Sequence, residues 1–189
     1  MRIIAGNFRG KKILKPKDVL TRPLKDLTKE SIFNIINHSN NFSVEIKESK
    51  ILDLFSGTGS FGIECLSREA KHVTFVENYN KILQILKKNL NNLNSLKNFD
   101  VLEIDAFKIF NNKKLNKSFD IIFLDPPYKE KRIFELIYLI YENRILDKNG
   151  IIIIHRHKKE KNYFPKKFNI LVEKKYGISK IIFGNFYLN

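Results

Sequence analysis

Sulfur and conformational punctuation are scarce in this sequence: one cysteine, one methionine, five prolines, eight glycines and no tryptophan in 189 residues. The single thiol, Cys65, excludes an internal disulfide and any multi-thiolate metal site. Its place in an apolar, helix-like stretch reads as a small buried core residue. No apolar run approaches the roughly 20 residues that span a bilayer. The opening Met1-Arg2-Ile3-Ile4-Ala5-Gly6 lacks the charged, apolar and small-residue blocks of a secretory signal. It runs directly into folded-type sequence and leaves no room for a transit peptide, so the expected location is cytoplasmic. Internal repeats, Pro/Gly/Ser linkers and metal-ligand clusters are absent as well. Negative charge is short: 20 Asp+Glu stand against 35 Lys+Arg, a formal net charge of +15. Such a field concentrates polyanions and speeds their encounter, which points to nucleic acid.

What is present suffices for one compact domain with a real core, since 43% of residues are hydrophobic and 12% aromatic. Two zones separate. Residues 1 to about 45 form an N-terminal appendage, with short extended runs at Arg2-Ile3-Ile4-Ala5 and Lys12-Ile13-Leu14 around a glycine-flanked turn, Gly6 to Gly10. A loop through Thr21-Arg22-Pro23 leads to a helix from about Leu27 to His38. The basic residues Arg2, Arg9, Lys11, Lys12, Arg22 and Lys25 fall on its loops and strand edges and are the candidate nucleic-acid contacts. From residue 46 onward the chain alternates strand and helix. Strands are expected at Ile51–Leu54, His72–Glu77, Asp100–Asp105, Phe119–Leu124, Ile151–His155, Phe168–Lys175 and Lys180–Tyr187. Helices are expected near Phe61–Ser67, Tyr79–Leu93 and Arg132–Arg144. This pattern predicts an α/β, Rossmann-like, doubly wound and mostly parallel seven-stranded sheet, closed by an antiparallel hairpin at one edge.

Ligands of such sheets bind beyond the carboxyl ends of the strands, at the switch point of strand order. Four strand ends carry chemistry. The first loop reads Asp53-Leu54-Phe55-Ser56-Gly57-Thr58-Gly59-Ser60-Phe61-Gly62 and satisfies G-x-G-x-x-G between a strand and a helix. The glycines imply close approach of a ligand to backbone at a helix start. Asp53 disfavours a pyrophosphate there and suits a cation, such as the α-ammonium and sulfonium of S-adenosylmethionine. Glu77, with Asn78 after it, ends the second strand roughly 20 residues after the glycine loop, where a carboxylate can accept from both ribose hydroxyls. Asp105-Ala106 ends the third strand, where Asp105 could meet an adenine amine or cap the next helix.

The fourth strand runs into Asp125-Pro126-Pro127-Tyr128. Two consecutive prolines lock φ and remove two backbone donors, so the loop is rigid and offers free carbonyls. An acid, a fixed carbonyl and an aromatic ring are thereby presented together. Asp125-Pro126-Pro127-Tyr128 resembles the catalytic motif of amino-methyltransferases acting on nucleic-acid bases, and Asp53 through Gly59 resembles their cofactor motif. Met1 to Gly6 with Arg9-Gly10, Thr21-Arg22-Pro23 with Glu30 and Phe33-Asn34, Leu52 to Glu64, and Tyr176-Gly177 narrow it. Together they resemble the bacterial 16S ribosomal RNA guanine-N2 methyltransferase family, essentially end to end. One stretch departs: His155-Arg156-His157 is basic where that family's fifth strand ends in an acidic residue.

The resemblance implies S-adenosylmethionine as cofactor, held by Asp53, Phe55, Ser56, Gly57, Thr58, Gly59, Glu77, Asn78, Asp105 and Ala106. It implies 16S rRNA as the partner, within a small-subunit assembly intermediate, for an enzyme expected to act as a monomer; with no ligand cluster in the sequence, no metal is expected. Asp125 would accept one hydrogen of the guanine amine and the Pro126 carbonyl the other, while Tyr128 stacks on the extruded base. The nearest alternative is a DNA adenine-N6 methyltransferase. Sequence-specific DNA reading needs a target-recognition region of about domain size, and only the appendage is spare. An NAD-dependent oxidoreductase built on Gly57, Gly59 and Gly62 fits Asp53 and the double proline poorly. A catalytically inert RNA-binding protein would have no use for the acid-Pro-Pro-aromatic loop.

Overall fold

The computed structural model describes residues 1–16, 24, 26–93, 97–111, 118–161 and 163–187. Among them, seven strands form one sheet: β1 Lys50–Leu54, β2 His72–Val76, β3 Phe99–Leu102, β4 Phe119–Leu124, β5 Leu146–His157, β6 Phe168–Tyr176 and β7 Ser179–Phe186. Their order is β3-β2-β1-β4-β5-β7-β6. Strands β1 to β5 pair in parallel, and β7 runs antiparallel to both β5 and β6. This is the doubly wound class that the alternating pattern predicts. The chain leaves β1 toward β2 and β3, then returns to the other side of β1 for β4. That reversal opens a crevice at the carboxyl ends of β1 and β4.

The central strands are apolar on both faces because helices cover both. Ile51, Phe75, Phe123, Ile153 and Phe183 pack into one cluster with α1 (Asp26–His38), α2 (Ser60–Ser67) and α3 (Asn80–Asn91). Leu52, Val76, Ile122, Ile154 and Ile182 face the opposite cluster, with Leu136, Ile137 and Ile140 of α4 (Ile133–Glu142). Phe61 joins helix to sheet in the first layer, stacking on Phe33 at 5.4 Å and on Phe123 at 4.0 Å between centroids. Cys65 is buried in this layer, and burial pushes its thiol well above the ordinary range. It is a core residue, as its apolar setting implies.

Two boundaries move for physical reasons. β3 stops at Leu102 rather than Asp105, so Ile104 and Asp105 leave the sheet and line the crevice. β5 starts at Leu146, five residues before the expected Ile151, because Leu146 pairs with Phe119 across a register shift. Asp147, Lys148 and Asn149 in that extension carry no apolar signal and were invisible to hydropathy.

At the N-terminus the two expected extended runs pair antiparallel around a bridge of Arg2 with Lys12, the amides of Ile3 and Ile13 donating to the carbonyls of Lys11 and Met1 at 3.0 Å each. The turn between them is anchored to α2. Glu64 accepts from the amides of Ile4 at 2.8 Å and Ala5 at 2.9 Å, and the Ser67 hydroxyl donates to the Ala5 carbonyl at 2.6 Å. Gly6 is obligatory here: its φ is +79°, and a Cβ would stand 1.9 Å from the Ser67 carbonyl oxygen. Buried Lys29 closes the anchor, 3.3 Å from Glu64 and donating to the Arg2 carbonyl at 2.7 Å.

Candidate active site

The crevice is a cavity of about 440 Å³, a size suited to a small-molecule ligand. It gathers the loops after β1, β2, β3 and β4, including Asp53, Gly57, Glu77, Asp105 and Asp125. Each loop is preset by its own chain. Ser56 stitches the first loop to β2: its hydroxyl donates to the Asp53 carbonyl at 2.5 Å and accepts from the Val76 amide at 2.9 Å. Phe55, a non-glycine residue, is held at φ 61°, a conformation of the kind that clusters at ligand sites. Gly59, at φ 80°, starts α2 beneath the Leu86 side chain. Gly62 lies against β2 so closely that a Cβ would sit 2.3 Å from the Phe75 ring. Small residues therefore draw α2 down and leave its first turn facing the cavity.

Asp53 is 1% exposed. One carboxylate oxygen accepts from the Gly62 amide at 3.1 Å, and the other is buried with no hydrogen-bond partner among the described residues. Burial raises its carboxyl well above the usual range, and the like charges of Asp125 and Glu77 add to this against the Gly62 hydrogen bond. A buried, underused carboxylate at a cavity wall calls for a cation. Glu77 differs: its oxygens accept from the Gly57 amide at 2.9 Å, the Asn78 amide at 2.9 Å and the Tyr79 amide at 2.8 Å. Three backbone donors fix this carboxylate in place, with lone pairs left for ligand hydroxyls. Asp105 accepts from the Phe107 amide at 2.8 Å through one oxygen, so it caps its own turn and lines the cavity with the rest.

The loop after β4 is held by β5. Asp125 meets the His155 ring, Nδ1 to Oδ1, at 2.8 Å. The next residue, Arg156, is 2% exposed. Its guanidinium donates to the carbonyls of Pro127 at 3.2 Å, Tyr128 at 3.4 Å and Glu130 at 2.8 Å. Burial pulls it below its ordinary basicity, opposed by the charges of Glu160, Glu130 and Asp125. The Tyr128 ring packs edge-on against His157 at 5.2 Å and His155 at 6.4 Å between centroids.

Of the residues expected to hold a cofactor, Asp53, Phe55, Ser56, Gly57, Thr58, Glu77, Asn78, Asp105 and Ala106 line the cavity, whereas Gly59 is not among its lining residues and packs against the Leu86 and Ile63 side chains. Asp125 and Pro127 line it; Pro126 is buried, and neither it nor Tyr128 is among the lining residues. Arg2, Arg9, Lys11 and Lys12 are exposed. Arg22, Lys25 and the segment Thr21-Arg22-Pro23 lie outside the described residues. Sequence reading missed one wall: Phe107 meets Phe55 edge-on at 6.2 Å, and Arg132 stacks over the Phe107 ring at 3.8 Å while pairing with Glu130 at 2.9 Å. Glu130, Arg132 and Phe107 all line the cavity. Their residue types carry no motif, and only the meeting of two strand-end loops reveals them.

Residues 1–185 match the family described as conserved hypothetical protein 95. The chain is 35% identical to "Ribosomal RNA small subunit methyltransferase D" of Haemophilus influenzae, over 94% of this chain and 90% of that protein. The protein of the same name in Escherichia coli is 32% identical, over 82% and 73%. Among solved structures, the Escherichia coli protein yhhF superposes with a TM-score of 0.84 at 27% identity, covering 100% of this chain and 99% of that one. The Haemophilus influenzae protein HI0767 gives a TM-score of 0.75 at 34% identity, covering 97% and 96%.

Proposed function

The chain belongs to the conserved hypothetical protein 95 family, and on that premise we propose that it methylates the exocyclic N2 amine of a guanine in small-subunit ribosomal RNA. It is an S-adenosylmethionine-dependent methyltransferase of the class I fold. Its relatives in Haemophilus influenzae and Escherichia coli are named ribosomal RNA small subunit methyltransferase D, which supports rRNA as the substrate. The observation that carries the reading is the meeting of Asp53 and Asp125 in one cavity, one buried and short of partners, the other at its wall beside a double proline. The first suits the cationic end of the cofactor; the second suits an amine that must be aimed.

The residues present fit the cofactor. The buried Asp53 oxygen is matched to the α-ammonium, Glu77 to the ribose hydroxyls, and Asp105 with Ala106 to the adenine edge beside Phe107. S-adenosylmethionine supplies a methyl group already activated by a sulfonium. What remains for the chain is orientation and electrostatics. A guanine N2 lone pair is delocalised into the ring and is a poor nucleophile. Asp125 accepts one amine hydrogen and the Pro126 carbonyl the other, which draws the nitrogen toward tetrahedral geometry. Arg156 supports this by occupying the carbonyls of Pro127, Tyr128 and Glu130, Pro126 not among them. Tyr128 stacks on the extruded base.

In this reading residues 1–45 are an RNA-binding appendage on a methyltransferase domain of residues 46–189. Its exposed Arg2, Arg9, Lys11 and Lys12, joined by Arg22 and Lys25, hold the RNA backbone. The enzyme works in the cytoplasm as a monomer, on rRNA within an assembling small subunit. The direct test is a pair of variants. Asp125→Ala abolishes methyl transfer to rRNA and keeps cofactor affinity, whereas Asp53→Ala weakens the cofactor. Near wild-type transfer by Asp125→Ala sinks the mechanism.

A further inference from the structure

We propose that His155 is a positioning residue that locks the Asp125 carboxylate in its working orientation, with Ser179 fixing the tautomer of the imidazole. The inference rests on the reading of Asp125 as acceptor of the amine hydrogen, and adds the part of the machinery that aims it.

The placement follows from register. β4 and β5 run parallel with Leu124 opposite Ile154, so Asp125, the first residue past β4, comes alongside His155 of β5. His155 Nδ1 lies 2.8 Å from Asp125 Oδ1, and its Nε2 lies 2.9 Å from the Ser179 hydroxyl at the start of β7. His155 and Ser179 are both buried. The donor and acceptor roles close in only one way when Asp125 is ionised and the ring neutral. A carboxylate only accepts, so Nδ1 carries the hydrogen; Nε2 then accepts, and the rotatable Ser179 hydroxyl donates to it. Ser179 to His155 to Asp125 is thus a chain with one direction.

The consequence is a division of the carboxylate. Oδ1 is committed to the ring, so the torsion of the Asp125 side chain is fixed and Oδ2 is the oxygen left for a substrate hydrogen. Burial makes the hydrogen bond strong by excluding competing water. Arg156 complements it on the next residue: it fixes the backbone of the loop, whereas His155 fixes the side chain. The basic run at the end of β5, which sequence alone left without a role, is a brace for the loop that carries Asp125.

The test compares His155→Leu with His155→Asn. Asparagine places an amide N–H near the position of Nδ1, whereas leucine keeps bulk and removes the donor. The readouts are the single-turnover rate of methyl transfer to rRNA, cofactor affinity by calorimetry, and the melting temperature. A hydrogen bond to a charged group is of a strength that corresponds to about ten- to hundredfold in rate. We expect His155→Leu to slow transfer by that factor, with cofactor affinity unchanged within about twofold, and His155→Asn to recover most of the rate. A folded His155→Leu protein with wild-type rate overturns the proposal, and so does an asparagine variant as slow as the leucine one. If His155→Leu does not fold, Ser179→Ala serves in its place: several-fold slower transfer at unchanged cofactor affinity is expected, and an unchanged rate overturns the proposal. Wild-type protein that binds the cofactor yet methylates no nucleic acid would instead overturn the reading of the site.

Discussion

Asp53 accepts a hydrogen bond from the amide of Gly62 at 3.1 Å, which ties the end of β1 to the first turns of α2 and leaves one carboxylate oxygen buried without a partner. Two different penalties meet in this contact. The carboxylate is desolvated, and the glycine has given up its side chain so that the helix can approach. Each makes a prediction.

Burial raises the Asp53 carboxyl in the ligand-free fold. Between the unfolded and the folded values the folded state therefore keeps a proton that the unfolded chain has released. That contribution to stability is complete below the unfolded value and is lost as pH rises through the folded one. Asp53→Asn removes the loss and should raise the melting temperature of the ligand-free protein at neutral pH, by about 2–4 °C per kcal/mol recovered. A cationic ligand favours the ionised carboxylate, so binding should release a proton, and affinity should climb as pH rises through the ligand-free value. Calorimetry in buffers of different ionisation heat reads the proton directly. Asp53→Asn should bind the cofactor weakly and without that proton. Wild-type affinity that is flat with pH would contradict the assignment.

Gly62→Ala should cost about 1–3 kcal/mol, the usual scale of overpacking, since its Cβ would meet the Phe75 ring at 2.3 Å. Because α2 can relieve the clash only by lifting from β2, cofactor affinity should fall along with the melting temperature. A variant with lowered stability and intact affinity would show that the loop and the helix move independently.

Glu64→Ala removes the partner of buried Lys29 and the acceptor for two backbone amides at once. Lys29 is already pushed below its ordinary basicity by burial, with Glu64 the main opposing influence. Breaking a buried pair costs about 3–5 kcal/mol. Denaturant unfolding should show a loss of that order, and limited proteolysis should reach the segment before Gly10 first. Glu64→Gln, which keeps an acceptor, should lose less.

Arg9 and Lys11 flank Gly10 on the exposed turn. If they hold phosphates, neutralising either one should weaken binding to all rRNA fragments alike and reduce the slope of log affinity against log salt by about 1. Methyl transfer at saturating RNA should be unchanged. An effect on the rate at saturation and none on the salt slope would move these residues out of the RNA interface.

Much of this site is legible in the sequence because its parts lie at strand ends, where short motifs carry their own mechanism. Asp53, the glycine loop, Glu77 and Asp125-Pro126-Pro127-Tyr128 could each be placed by the alternation of strand and helix alone. His155 and Arg156 could be seen only as a basic run, since Asp125, Pro127, Tyr128 and Glu130 lie about thirty residues upstream in the loop after β4, brought alongside β5 by a register no local pattern encodes. Phe107 and Arg132 were hidden for the same reason. The first residues of β5 carry no apolar alternation, because half-buried Asp147 and exposed Lys148 and Asn149 follow Leu146, and only the pairing of Leu146 with Phe119 places them in the strand.

The central claim is the acceptor atom, and it is tested by mapping where the methyl group goes. The protein is incubated with labelled S-adenosylmethionine and undermethylated small-subunit particles, the RNA is digested, and the labelled nucleoside is identified by mass spectrometry. The account predicts a single labelled species, N2-methylguanosine, absent with Asp125→Ala. Label in N6-methyladenosine, or transfer to DNA in preference to the particle, would contradict it.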